Sequence, residues 1–142
     1  MTFEELNQFL FIWKARLGLS DWRIELILGG CSDETTYMEV EHSTFYERAV
    51  IHVNPWLLGQ GPTPEYVLMK EALTDDFIEV SLVHELLHMH TRNIRVVVRE
   101  DLFGVVSREL HEQLKNAMER ADEQMVDRLA EALVKAFNKV NR

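Results

Sequence analysis

Two stretches in the first two thirds of the chain repeat apolar residues every three or four positions, which is the spacing of a helix face. Residues 2 to 17 form the first stretch, and Thr2 with Glu5 has the pattern of a capping box at its start. The second begins near Thr74, which can cap a helix and is followed by two aspartates that suit a helix N-terminus. It extends to about His90 or Asn93, so both stretches are predicted to be helices.

A third helical stretch runs from Ser107 to about Lys139. Its apolar residues follow one stripe as far as Met125 and a rotated stripe beyond that residue. A kink, or a division into two helices between residues 116 and 122, would account for the rotation.

Alternating apolar and polar residues predict three strands between the first two helices. They cover residues 21–28, 37–42 and 48–53. Because these segments are short and close together in the chain, we expect an antiparallel meander. Residues 64 to 73 are compatible with a further short helix, whereas the valines at 96 to 98 favour a strand or a loop.

These elements predict an α+β fold. A small antiparallel or mixed sheet of about three to four strands would pack against the N-terminal helix, the helix that starts near Thr74 and the long C-terminal helix. The chain has 142 residues and shows no internal repeat or linker, so a single domain spanning 1–142 is expected.

The second helix contains His84-Glu85-Leu86-Leu87-His88, which has the pattern H-E-x-x-H. Two histidines four residues apart lie on one helix face, so their imidazoles can converge on one metal ion. Glu85 can reach a water bound to that ion, as in zinc hydrolases. The surrounding residues are apolar, and burying these groups is costly unless a partner such as a metal offsets it. Two core histidines beside an ion-paired glutamate would produce the same pattern without a metal.

A catalytic zinc site usually has three protein ligands and one position open to water. His90 is two residues from His88 and therefore points away from the shared face. The metzincin continuation is absent, because Thr91 stands in place of its glycine and Ile94 in place of its third histidine. The remaining candidates are in the third helix: His111, Glu112, Glu119, Asp122 and Glu123.

Glu123 and Asp127 are four residues apart and present two carboxylates on one helix face. H-E-x-x-H followed by E-x-x-x-D on a later helix resembles the gluzincin metallopeptidases, and the short chain is similar to minimal zincins of phages and mobile elements. The resemblance implies a zincin-like fold in which Glu123 is the third ligand and Asp127 supports a ligand histidine. Glu119 remains the alternative third ligand, because it lies nearer the centre of the apolar stripe.

The same resemblance implies a peptidase that acts on a peptide or protein substrate. One catalytic Zn²⁺ would be held by His84, His88 and the third ligand, with Glu85 as the general base for a metal-activated water. A further donor would stabilise the oxyanion, and His111 and Tyr46 are candidates.

Tyr37 and His52 are two further candidates for the donor that stabilises the oxyanion. Zincins pair an extended substrate with a strand at the edge of the cleft, and the resemblance places residues 49 to 53 there.

Composition changes the expected partners and location. The net charge of −9 argues against a dedicated nucleic-acid binder, and Arg92, Arg95 and Arg99 are interpreted as a solvated surface. No run of about eighteen apolar residues exists, so no transmembrane helix is expected. The acidic N-terminus is unlike a signal peptide and Cys31 is the single cysteine, which favours a cytoplasmic protein without an intrachain disulfide.

Three other functions fit part of the sequence. An SprT-like protease of DNA-bound proteins shares H-E-x-x-H, but the acidic balance counts against it. A compact zinc-dependent RNase would use a histidine triad without the motif glutamate, so Glu85 argues against it. The sequence fits equally well a noncatalytic interaction protein that keeps a zincin scaffold and binds a repressor or antitoxin.

Overall fold

The computed structural model describes residues 1–43, 46–65, 73–97 and 107–141. Within these residues the chain is α+β, as predicted, with three α-helices, a 3₁₀ turn and one mixed sheet of three strands. It forms two compact units, Met1–Leu86 and Leu87–Arg142. The division between them falls inside a helix rather than in a linker, and the single-domain expectation stays a prediction.

Helix α1 spans Phe3–Arg16 and begins with the predicted capping box. The Thr2 hydroxyl accepts a hydrogen bond from the backbone N–H of Glu5, and the Glu5 carboxylate accepts one from the backbone N–H of Thr2. The two bonds satisfy donors that a helix N-terminus otherwise leaves exposed. The apolar face is buried through Leu6, Leu10 and Trp13.

The sheet contains β1 (Arg23–Leu28), β2 (Met38–His42) and β3 (Arg48–Val53), all within the predicted segments. Its order is β1-β3-β2, with β3 parallel to β1 and antiparallel to β2. The expected meander is therefore wrong. Strand β3 is also central, so the expectation that residues 49 to 53 form a cleft edge is wrong, and β2 is an edge strand of the sheet that the described residues form.

The connection between β1 and β2 explains this order. Gly29 and Gly30 both have positive φ, which residues with side chains rarely adopt, and they turn the chain away from β1. A Cβ on Gly30 would lie 2.7 Å from Nδ1 of His52, so the close approach also requires glycine. The loop leads to the far side of the position that β3 later fills, where β2 forms.

Helix α2 spans Asp75–Val97 and starts where predicted. The Thr74 hydroxyl caps it by accepting a hydrogen bond from the N–H of Phe77 at 3.2 Å. The helix continues through residues 96 and 97, so the strand or loop expected at the valine run is wrong there, and residue 98 lies outside the described residues. The short helix expected from residue 64 falls largely at positions 66–72, which are likewise not described.

Helix α3 spans Arg108–Asn141 without interruption, so the expected division into two helices is wrong. The segment contains no proline or glycine, the residues that most often break a helix. Its buried apolar residues are Val126, Ala130 and Val134, whereas Leu114 in the first half is 37 % exposed. The two stripes therefore differ in burial. No described helix has the length and apolar character needed to cross a membrane.

Candidate metal centre

Helix α2 carries His84 and His88 one turn apart. His84 is half-buried and His88 is buried, while His90 is exposed, as expected for a residue on another face. Apolar side chains of the same helix, among them Leu82, Val83 and Leu86, are fully buried. The two imidazoles thus lie at the margin of a packed helix face.

The two ring nitrogens of His88 face two adjacent carboxylates of α3. Nδ1 lies 3.5 Å from Oδ2 of Asp122, and Nε2 lies 3.4 Å from Oε1 of Glu123. The Asp122 side chain is only 7 % exposed, whereas that of Glu123 is 51 % exposed. Nε2 therefore faces the solvent-accessible side of this cluster and Nδ1 its buried side.

Asp122 is held by further donors within the second unit. Its Oδ2 lies 3.4 Å from the hydroxyl of Thr91 and 3.4 Å from a guanidinium nitrogen of Arg95. The Thr91 hydroxyl also lies 3.3 Å from the backbone oxygen of His88. A buried carboxylate is costly without such partners, so these contacts stabilise Asp122 and orient it toward His88.

These contacts correct the interpretation of the arginines in this region. Arg95 forms an ion pair with Asp122, and Arg92 is buried, so neither belongs to a solvated surface. Arg99 lies outside the described residues.

Within the second unit, Nε2 of His88 and Oε1 of Glu123 form a group that can bind one metal ion, and His84 lies one turn before His88 on the same helix. Two donors that are each about 2.1 Å from a tetrahedral zinc are about 3.4 Å apart. The separation of 3.4 Å between His88 and Glu123 matches that spacing. The carboxylate that faces Nε2 of His88 belongs to Glu123 rather than to Glu119, which lies one turn earlier on α3 and is half-buried.

Glu85 is fixed by the edge strand of the sheet. The backbone N–H of Val40 in β2 donates to its Oε2 at 3.1 Å, and its Oε1 lies 3.9 Å from Nε2 of His84. Bonds from Asn54 and Ser43 show that the odd-numbered residues of this segment pair with β3. The N–H of Val40 therefore points away from β3, toward the edge, where Glu85 accepts it.

Negative charge accumulates near Glu85. Burial raises the pKa of the Cys31 thiol, and the carboxylates of Glu39 and Glu85 raise it further. The thiol donates to the backbone oxygen of His52, with 3.6 Å between sulfur and oxygen. Burial disfavours the charged form of the thiol, and the two carboxylates add a negative potential at this position.

Three other predicted residues are not brought into this group. Asp127 is exposed, and the carboxylate that faces a candidate ligand histidine, His88, belongs to Asp122. His111 is half-buried in the first turn of α3, and Tyr46 is 69 % exposed. The roles assigned to Asp127, His111 and Tyr46 stay predictions.

Tyr37 and His52 have contacts of a structural kind. The Tyr37 ring packs edge-on against two aromatic rings at centroid distances of 5.4 and 5.0 Å. The His52 ring lies between the backbone oxygen of Gly29 and the carboxylate of Glu41, at 3.0 and 3.4 Å.

The sequence pattern did not indicate that Asp122 lies beside His88. Asp122 was a candidate only as a metal ligand. Its position contains a usable signal. Asp122 begins a run with Val126, Ala130 and Val134 at intervals of four, and all four residues are buried. A carboxylate in line with a buried stripe requires a charged or hydrogen-bonding partner.

No protein-family model, curated protein or solved structure matches the chain. The case for a function therefore rests on the chemistry and geometry of the described residues.

Proposed function

We propose that the protein is a zinc-dependent peptidase of zincin-like fold, which hydrolyses peptide bonds with Glu85 as general base. The observation that carries the proposal is the 3.4 Å approach of Glu123 to His88, which follows His84 by one turn of the same helix. Two imidazoles and one carboxylate form a donor set typical of catalytic zinc, with a fourth position left for water or substrate.

In this proposal His84, His88 and Glu123 hold the ion. When bound, zinc supplies a water of lowered pKa and polarises the carbonyl of the substrate. In the proposal, the Asp122 carboxylate, 3.5 Å from Nδ1 of His88, keeps that nitrogen toward the interior and leaves Nε2 to face Glu123. Such a carboxylate partner fixes the tautomer and orientation of a ligand histidine.

Glu85 provides the proton transfers. Its Oε2 accepts the N–H of Val40, which leaves Oε1, the oxygen nearer His84, to take the proton of the attacking water. The same carboxyl then passes the proton to the leaving amine. Proton transfer by a positioned side chain contributes about 10²–10⁴-fold to such reactions.

Strand β2 is the surface on which we place the substrate backbone. The register gives Met38 and His42 the same outward orientation as Val40, so their backbone groups face the sheet edge next to Glu85. An extended peptide can add to such an edge through main-chain hydrogen bonds. This replaces residues 49 to 53, which are central, as the strand that pairs with substrate.

The test compares zinc-loaded wild-type protein with Glu85→Gln on a broad peptide library, with cleavage read by mass spectrometry. We expect wild-type cleavage, loss of at least about a hundredfold in rate in Glu85→Gln, and an unchanged zinc content. Glu131→Gln, at an exposed position of α3, is the matched control and should behave as wild type.

If the wild type holds zinc but cleaves no peptide, the peptidase proposal fails. A noncatalytic zincin scaffold is then the better description. If Glu85→Gln cleaves as fast as the wild type, Glu85 is not the general base.

A further inference from the structure

The exposed face of the sheet separates its charges into two adjacent rows. Arg23 and Arg48 are register partners on the parallel strands β1 and β3 and form a cationic row. Two residues further along, Glu25 and Glu41 lie on either side of Val50 and form an anionic row. All four charged residues are exposed.

The cationic row is unfavourable by itself. Like charges directly opposite each other on neighbouring strands repel. Among the described residues, no salt bridge joins the guanidinium of Arg23 or Arg48 to a carboxylate. Glu25 is likewise without a salt bridge in that part of the chain, whereas Glu41 lies 3.4 Å from a ring nitrogen of His52. The two rows thus do not neutralise each other by direct pairing.

A cavity of about 520 Å³ lies over both rows. The four charged residues line it together with His42, Ser43, Ala49 and Val50. This volume is within the range of small-molecule sites, about 300–1,000 Å³. Its walls offer two guanidiniums at one end and two carboxylates at the other.

We infer that this cavity binds a small zwitterion of dipeptide length. The anionic group of the ligand lies between Arg23 and Arg48, and its ammonium group lies between Glu25 and Glu41. Guanidinium groups bind carboxylates through paired hydrogen bonds, and ammonium groups donate to carboxylates.

The spacing of the rows selects the length of the ligand. Residues two apart on a strand are separated by about 6.6 Å. An extended dipeptide spans about 6.6–7.2 Å. The four side chains sum to zero charge, so the cavity favours a dipolar ligand over a simple anion or cation. The inference is independent of the metal centre, because its residues belong to the exposed face of the sheet.

The test is a titration of ¹⁵N-labelled protein followed by NMR, with glycylglycine, N-acetylglycylglycine and glycylglycine amide as probes. We expect saturable shifts at the backbone amides of both rows with glycylglycine, and affinity lower by about threefold for each blocked analogue. Arg48→Gln should weaken glycylglycine binding and remove its advantage over the amide. Glu25→Gln should weaken it and remove its advantage over the acetylated form.

Arg128→Gln, on the exposed face of α3, is the matched control and should bind glycylglycine as the wild type does. Arg23→Gln repeats the test of the cationic row if Arg48→Gln loses the dispersed spectrum of a folded protein. The inference is overturned if glycylglycine causes no saturable shifts, or if both blocked analogues bind as tightly as glycylglycine. Tighter binding of inorganic phosphate than of glycylglycine would also overturn it, by identifying a simple anion site.

Discussion

Nδ1 of His88 lies 3.5 Å from the buried carboxylate of Asp122, so one imidazole nitrogen is directed into the packed interior of the second unit. The other nitrogen, Nε2, is consequently directed toward Glu123. In metal sites a partner of this kind holds the ligand histidine in one tautomer and orientation. The proposed zinc affinity therefore depends on a residue that does not itself bind the metal.

Replacing this partner should weaken metal binding. We expect Asp122→Ala to lower the affinity for zinc about 10–100-fold, the usual effect of removing a carboxylate behind a ligand histidine. Competition with a chromogenic chelator measures the change. Asp127→Ala is the paired variant, and a larger loss in it than in Asp122→Ala would return the supporting role to Asp127.

Removal of the third ligand should have a larger effect. Glu123→Ala leaves two imidazoles to hold the ion, so zinc should be lost on gel filtration. Glu119→Ala should retain about one zinc per chain, because the carboxylate that faces Nε2 of His88 belongs to Glu123. The metal-to-protein ratio measured by mass spectrometry decides which of the two glutamates is the third ligand.

The reverse result would make Glu119 the ligand. Retention of zinc in both variants would place the third ligand elsewhere and remove the basis for the gluzincin resemblance.

Local patterns predicted the elements better than their arrangement. The alternation in residues 48 to 53 identified β3 correctly, because a half-buried strand imposes that period on its own sequence. The pairing partners of β3 depend on where the loop at residues 29 to 37 leads the chain, which alternation does not encode. For this reason the strand order β1-β3-β2 was not predicted, although a mixed sheet was among the expectations.

The site was predictable to a similar extent. The spacing of His84 and His88 determines their shared face, because both lie on one helix. Glu123 and Asp122 are adjacent in sequence, yet only the rotation of α3 decides which of them faces Nε2 and which Nδ1 of His88. The valines at 96 and 97 favour a strand by intrinsic preference, but they continue the helix that begins at Asp75.

The buried pair Trp13 and Glu79 should contribute to the stability of the first unit. The indole N–H donates to the Glu79 carboxylate at 2.7 Å, and the Glu79 residue is 2 % exposed. Trp13→Phe removes that donor and should lower the free energy of unfolding by about 1–3 kcal/mol. Urea denaturation followed by circular dichroism measures the difference.

Trp56→Phe provides the comparison, because its indole donates to a neutral backbone oxygen, that of Glu34. A loss of about 1 kcal/mol is expected there. Equal losses of free energy of unfolding in the two tryptophan variants would show that the charge of Glu79 does not strengthen its hydrogen bond.

The thiol of Cys31 should react slowly near neutral pH. Burial raises its pKa first, and the carboxylates of Glu39 and Glu85 raise it further, so the reactive thiolate is scarce until the pH exceeds the ordinary thiol range. Because Cys31 is the single cysteine, the rate of a disulfide-exchange reagent followed against pH reports this group alone.

Glu39→Gln removes one of these negative charges and should shift the rate profile of Cys31 toward lower pH. A wild-type profile like that of a free thiol, or a shift in the opposite direction in Glu39→Gln, would contradict the described environment.

The most direct test of the metal centre is an anomalous-scattering map of crystals prepared with zinc, from data collected on both sides of the zinc absorption edge. We predict one zinc peak at about 2.0–2.2 Å from a nitrogen of His84, Nε2 of His88 and a carboxylate oxygen of Glu123. The absence of a peak among these three residues, or a peak held by other ligands, would contradict the proposal.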